Sequence, residues 1–300
     1  MQKIIPHLWF DQEAVEAANF YVSIFENGSN LINTETIHDT PSGDCDIVTF
    51  DLQDYRFMAI SAGPLFKFNP SVSFLLNFDP AKDKNAREKL DAYWERLSSQ
   101  GSVLMELDTY PFSERYGWLQ DKYGVSWQLI LSDKQGEARP FITPFLMFIG
   151  SNCGKAEDAI NYYCSLFKNS KRGRTAYYPS GSAPDKEGSV MFADFQIEDQ
   201  WFAAIDSAHK HPFAFNEAIS FIVNCKNQKE IDYYWEKLSA VQESEQCGWL
   251  KDKYGLSWQI VPDILQELMS GDEQKKAKVT QAFLKMKKFD IAELERAAKT

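Results

Sequence analysis

The chain has 300 residues, 44% of them apolar, and carries 43 acidic against 32 basic side chains, a formal charge of −11. That length exceeds what one compact core needs, so two domains are expected, and a negative surface excludes phosphate-backbone and anionic-headgroup partners: no nucleic acid, no membrane. The 22 Phe, 13 Tyr and 8 Trp residues require a core or a lined pocket and exclude a disordered chain.

The first half opens with a strand over 4–10, followed by an amphipathic helix in which Val15, Ala18, Val22 and Phe25 fall at helical spacing. Strand-like stretches follow near 31–37, 46–53 and 56–62, separated by Thr40-Pro-Ser-Gly43 and by Gln53-Asp54. The order β-α-β-β-β then runs again. A strand at 71–78 is broken by Asp79-Pro80, a helix carries Leu90, Tyr93, Trp94 and Leu97 on one face, and strands lie near 102–108, 116–120 and 125–131. The second half repeats the pattern, with Ile231, Tyr234, Trp235 and Leu238 on its last helix, which gives four modules: 4–62, 71–131, 142–207 and 217–262. In the lysine-rich segment from Lys275 to Lys299, Val279, Phe283, Met286 and Ile291 form an apolar face expected to pack on the body or on a partner.

The halves are an internal repeat. Gly117 to Gln128 recurs as Gly248 to Gln259 with ten of twelve positions identical, and Ser73 to Asn77 recurs as Ser220 to Asn224. Phe50 to Ile60 likewise matches Phe195 to Ile205. The expected domains are therefore 1–135 and 140–265, with a helical tail over 266–300. The five cysteines (Cys45, Cys153, Cys164, Cys225, Cys247) are odd in number and show neither a CxxC pair nor zinc spacing, so they read as reduced thiols. Met1 leads into Ile4-Ile5 without a basic-then-apolar signal, and no apolar run approaches the roughly 18 residues of a membrane span. The expectation is a soluble, cytoplasmic protein.

Three signatures carry a resemblance: Ile4-Xaa-Pro6-Xaa-Leu8-Xaa-Phe10, the helix ending Asn19-Phe20-Tyr21, and the closing run from Asp121 to Gln128; the segment Met286 to Leu294 adds a fourth. Together they resemble the PhnB-like branch, often labelled demethylubiquinone methyltransferase-like, of the vicinal-oxygen-chelate (glyoxalase/bleomycin-resistance) superfamily. The resemblance implies an α+β fold of four βαβββ modules in two tandem glyoxalase-like domains. In that architecture eight strands curl around a ligand cavity, and the two halves take the place of a homodimer, so the chain is a monomeric pseudo-dimer or a homodimer. Metal-dependent relatives place His or Glu at four inward positions. The position of the last Glu is Gln128 or Gln259 in this chain, and the opening position lies near Ile5 or Thr143. The four histidines (His7, His38, His209, His211) are too few and too scattered for two symmetric centres, so no metal and no cofactor is expected. The methyltransferase label is disfavoured as well, since no Gly-Xaa-Gly turn follows any strand.

Alternation on the last strand sets Ser126, Gln128 and Ile130 on one side and Val125, Trp127 and Leu129 on the other. With the glutamine side facing a cavity, Gln128 and Gln259 become polar anchors, joined by His7 and Trp9. Phe50, Phe57, Phe74 and Trp118, with Phe195, Phe221 and Trp249 opposite, supply aromatic walls, and Ser61 and Asp206 are further polar candidates. The plainer alternative makes most of these rings sheet-to-helix core, makes Asp121-Lys122 and Asp252-Lys253 turn residues, and leaves His209-Lys210-His211 in a solvated loop. The expected function is metal-independent binding of an unidentified small molecule. Its rivals are a metal-dependent lyase or dioxygenase of glyoxalase type with relocated ligands, and a scaffold that binds a protein through its C-terminal helix.

Overall fold

The computed structural model describes residues 2–132 and 139–299. The first module comprises β1 (Ile4–Phe10), α1 (Ala14–Ile24), β2 (Asn30–Thr40), β3 (Gly43–Leu52) and β4 (Tyr55–Ser61). The second comprises β5 (Val72–Phe78), α2 (Ala86–Ser98), β6 (Ser102–Tyr110), β7 (Ser113–Gln120) and β8 (Ser126–Leu131). The third runs through β9 (Ile142–Ile149), α3 (Ala156–Leu166), β10 (Lys171–Tyr177), β11 (Val190–Ile197) and β12 (Gln200–Ser207). The fourth has β13 (Ile219–Cys225), α4 (Gln228–Leu238), β14 (Trp249–Lys251) and β15 (Ser257–Pro262), and the tail folds as α5 (Ile264–Leu268), α6 (Glu273–Phe283) and α7 (Ile291–Lys299).

The fold class matches the expectation, but the modules do not pair in chain order. One sheet runs β14-β15-β13-β1-β4-β3-β2 and the other β10-β11-β12-β9-β5-β8-β7-β6. The first module therefore joins the fourth, and the second joins the third. The compact units are residues 1–22, 27–67 and 215–300 (unit 1) and residues 23–26 and 68–214 (unit 2), in place of the consecutive 1–135 and 140–265 that the repeat suggested. The physical reason is the opening strand of each module. β1 and β13 pair antiparallel in unit 1, as β5 and β9 do in unit 2, and both partners are buried on both faces.

The fourth module departs from the expected βαβββ order. Leu97 and Trp118 are 21 positions apart, whereas their counterparts Leu238 and Trp249 are 11 apart, so the second half lacks the residues that build β6. The edge this leaves is covered by the tail: the Cys247 and Gly248 amides donate to the Met286 and Lys287 carbonyls, both at 2.8 Å. Covering an edge strand removes a row of open backbone groups. Of the tail's expected apolar face, Val279, Phe283 and Met286 are buried and Ile291 is half-buried, and Phe289 is buried beside them.

The helices cover one face of each sheet. On α2 the buried stripe is Ala86, Leu90, Tyr93 and Leu97, and on α4 it is Ile231, Tyr234 and Leu238. On α1 the stripe is turned by about one residue from the Val15–Val22 line. Ala14, Ala17, Ala18 and Tyr21 are buried while Val15 and Val22 are half-buried, because the alanines let the helix approach and Tyr21 stacks on Phe50.

The repeated Asp-Lys-Tyr-Gly run explains itself in structure. Asp121 Oδ1 accepts from the amides of Tyr123 (2.9 Å) and Val125 (3.1 Å), and Oδ2 accepts from the Trp127 indole at 2.8 Å. Asp252 does the same for Tyr254, Leu256 and Trp258. One buried carboxylate thus closes the turn into the last strand and fixes the tryptophan behind the sheet. Among the described residues no helix is long and apolar enough to cross a membrane.

Candidate binding faces

The side of each sheet turned away from α1–α4 is its inner face. Residues paired in register share a face. In unit 1 one cross-strand row runs Ser257, Ser220, His7, Met58, Thr49, and the next contains Trp249, Gln259, Ile222 and Ile5. In unit 2 the matching rows are Ser126, Ser73, Phe145, Ala203, Asp194 and Trp118, Gln128, Leu75, Thr143.

The thirteen residues singled out from sequence divide between the faces. Gln128, Gln259, His7, Trp9, Trp118 and Trp249 lie on the inner faces. Phe50 and Phe57, stacked on each other, belong to the helix-side core, as do Phe195, Phe74 against Trp127, and Phe221 against Trp258. Ser61 and Asp206 occupy matching positions and anchor helix starts: the Ser61 hydroxyl accepts from the Ala14 amide, and the Asp206 carboxylate from the amides of Gly154, Ala156 and Val190. Strand parity separates the two sets. The Phe50 to Ile60 match carried the right repeat but gave no sign of which face met the helix.

On the unit 2 inner face the polar groups around Gln128 satisfy one another. Tyr116 donates its phenol to Gln128 Oε1 at 2.8 Å, and Gln128 Nε2 donates to Ser73 Oγ at 2.7 Å. Burial pushes the Tyr116 phenol well above its usual range, so it stays protonated and remains a donor. The Trp118 indole donates to Ser126 Oγ at 2.8 Å. Asp194 accepts from Arg139 at 2.8 Å and from the Arg174 amide, and Arg139 lies 3.9 Å over the Trp201 ring. Leu75, Phe145 and Ala203 fill the centre, with Phe192, Ile205 and Met105 packed against them.

The unit 1 face is built from the same positions but pairs fewer of its polar groups. Gln259 Nε2 donates to Ser220 Oγ at 2.9 Å, but the counterpart of Tyr116 is Cys247, and among the described residues no group donates to Gln259 Oε1. His7 is 4% exposed and its Nδ1 has no partner; the Ser257 hydroxyl, 1% exposed, has none either. Burial lowers the His7 pKa from 6.5 to about 3, so the imidazole is neutral at physiological pH. Trp249 stands edge-on to His7 (ring centroids 5.5 Å apart) and to Trp9 (6.0 Å), and Trp9 in turn meets Phe66 at 5.1 Å. Following the register outward from Trp9 through Ile60 and Ile47 reaches Glu35 on β2, which faces Lys276 of α6 at 3.8 Å. There Asn33 and Glu35 line, with Met269, Ser270, Glu273 and Lys276, a groove of about 580 Å³.

Sequence reasoning missed Tyr116, Ser73, Ser220 and Ser257 as members of these faces. Ser73 and Ser220 were available from their repeated parity two residues from the apolar strand centre, whereas Tyr116 and Ser257 show their roles only through cross-strand neighbours.

A family model described as 3-demethylubiquinone-9 3-methyltransferase matches residues 2–130 and again 140–261. The chain belongs to that family. Its two matched segments coincide with the sequence repeats rather than with the compact units. A PhnB protein from Bacillus cereus is 35% identical over 44% of this chain and 100% of its own, with a TM-score of 0.39. A Staphylococcus aureus protein is 30% identical over 44% of this chain and 98% of its own, with a TM-score of 0.18. Glyoxalase I from Zea mays covers 89% of this chain and 96% of its own at 14% identity and a TM-score of 0.52, a likeness of fold alone. No curated protein matches.

The residues of this family member do not fit a divalent metal at the superfamily positions. Gln128 has both ends of its amide engaged by hydroxyls, and Gln259 neighbours Ile222 and Ile5. Among the described residues no three His, Cys, Asp or Glu side chains come together as a metal group. The pair His209 and His211 sits in the loop after β12, where His211 Nε2 lies 3.0 Å from Ser207 Oγ.

Proposed function

We propose that the protein binds a small, largely apolar molecule on the inner face of unit 1 without a metal ion. One observation carries this reading: two buried polar atoms, His7 Nδ1 and Ser257 Oγ, lie without partners on one row of that face. A buried polar atom left unpaired costs about 1–3 kcal/mol, and a bound molecule that pairs with it recovers that cost. Tryptophan rings with a few polar anchors are the usual lining of small-ligand sites. The methyl transfer in the family's name lacks support in this chain, which has no glycine-rich donor-binding turn.

The reading is tested by thermal-shift screening of the full chain against small neutral compounds, with and without chelator. Concentration-dependent stabilisation that survives the chelator and is lost in His7→Phe is the expected result. One or two divalent ions per chain, co-purifying and required for any compound to bind, overturns the metal-independent reading. A broad library with no hit overturns binding itself.

A further inference from the structure

The two inner faces, compared position by position, name the class of molecule. In unit 2 the acceptor Gln128 Oε1 is occupied by a phenol of the chain itself, Tyr116. That ring is held edge-on by Tyr110 at 5.6 Å and Phe112 at 5.0 Å. In unit 1 the same glutamine and serine are present as Gln259 and Ser220, but the tyrosine position holds Cys247, which offers no ring. The Cys247 amide is tied to the tail and its φ is +52°, so the backbone is committed to the edge-covering segment. Trp249 pairs with Gln259 across the strands, and the rings of His7 and Trp9 meet Trp249. We infer that unit 1 binds, one per chain and resting on the small-molecule reading above, a neutral aromatic ring bearing a hydroxyl or N–H donor, which takes the place that Tyr116 fills in unit 2. Unit 2 is the self-occupied, structural copy of the site.

The polarity of the open groups supports a donor on the ligand. Gln259 gives one of its two amide N–H groups to Ser220, and its carbonyl stands as an acceptor. A neutral imidazole with its proton on Nε2 presents Nδ1 as a second acceptor. Lys251, at the end of the Ser257 row, is held by Glu217 at 2.7 Å and is not free to pair with an anion here. An anionic ring would therefore lose its hydration without gaining a counter-charge.

The test is calorimetric titration of the full chain with phenol, indole, anisole and benzoate. Phenol and indole are expected to bind at one per chain. Anisole, which keeps the ring and loses the donor, is expected to bind at least about tenfold more weakly, and benzoate likewise. His7→Phe, which installs the residue unit 2 carries at Phe145, should reduce phenol affinity by about tenfold or more. Tyr116→Ala should raise the phenol stoichiometry from one to two. Anisole or benzoate binding as tightly as phenol in a His7-dependent manner overturns the ligand class and leaves the binding reading standing. Two phenols per wild-type chain, or affinity indifferent to His7→Phe, overturns the assignment to unit 1. Failure of these probes and of the broad screen together removes the binding reading as well.

Discussion

Trp118 and Trp249 hold the same place in the two repeats, yet the Trp118 indole donates to Ser126 Oγ at 2.8 Å while Trp249 turns edge-on to His7, with ring centroids 5.5 Å apart. The indole that leaves its serine is the reason Ser257 has a buried hydroxyl without a partner. Trp118→Phe strands Ser126 and removes a hydrogen bond, whereas Trp249→Phe removes ring area alone. The first substitution should cost about 1 kcal/mol more than the second in thermal or urea unfolding. Equal losses would show that the hydrogen bond contributes nothing net.

His7 predicts a pH dependence with a definite sign. Its pKa falls from 6.5 in the unfolded chain to about 3 in the fold, so between those values the unfolded state binds the extra proton. Stability is then fully present above pH 6.5 and declines as the pH drops, by about 1.4 kcal/mol for each unit this group controls. His7→Phe should flatten the stability profile between pH 6 and 4 by about that slope. It should also raise stability near neutrality by about 1 kcal/mol, because it removes an unpaired buried nitrogen. Parallel profiles for the two proteins would refute a buried neutral imidazole.

The turn carboxylates make a paired prediction. Asp121→Asn or Asp252→Asn keeps the shape but replaces one of two acceptor atoms by a donor, so either the indole or the two amides faces a like group. A loss of about 2–3 kcal/mol is expected for each, against little change for Asp263→Asn at an exposed position. Near-UV circular dichroism of Trp127 or Trp258 should report the same event.

The sequence made the repeat, the strand and helix order and the parity of the last strand readable, because each rests on local chemistry: turn residues, period-two alternation and the Asp-Lys-Tyr-Gly closure. It did not make readable which modules share a sheet. The pairing of β1 with β13 joins Ile4 to Val223 across more than two hundred residues, and the opening strands of all four modules are apolar enough to pair with one another. The candidate site divided along the same line. Residues on strands whose register is legible, such as Gln128, Gln259 and His7, lie together on the inner faces. Phe50, Phe57 and Phe195 do not, since a run such as Phe-Asp-Leu reads equally well from either side. The tail's edge-covering role was hidden too, because its cause is ten missing residues between Leu238 and Trp249.

That role gives the last prediction. Gly248 has φ +85°, and a β-carbon added there would lie 2.5 Å from the Phe289 ring and 3.0 Å from the Ile260 carbonyl. Gly248→Ala must therefore both strain its own backbone and displace Phe289, the residue that seats the tail against α4 through the Gln228 contact to its carbonyl at 3.0 Å. A loss of about 2 kcal/mol or more is expected. The strain alone would destabilise without freeing the tail, so the decisive readout is local: hydrogen exchange at the Cys247 and Gly248 amides, which donate to Met286 and Lys287. Faster exchange at both, together with earlier proteolytic cleavage between α6 and α7, is the outcome expected of a tail that substitutes for a missing strand. Exchange unchanged at both amides would mean that the edge of unit 1 holds without it.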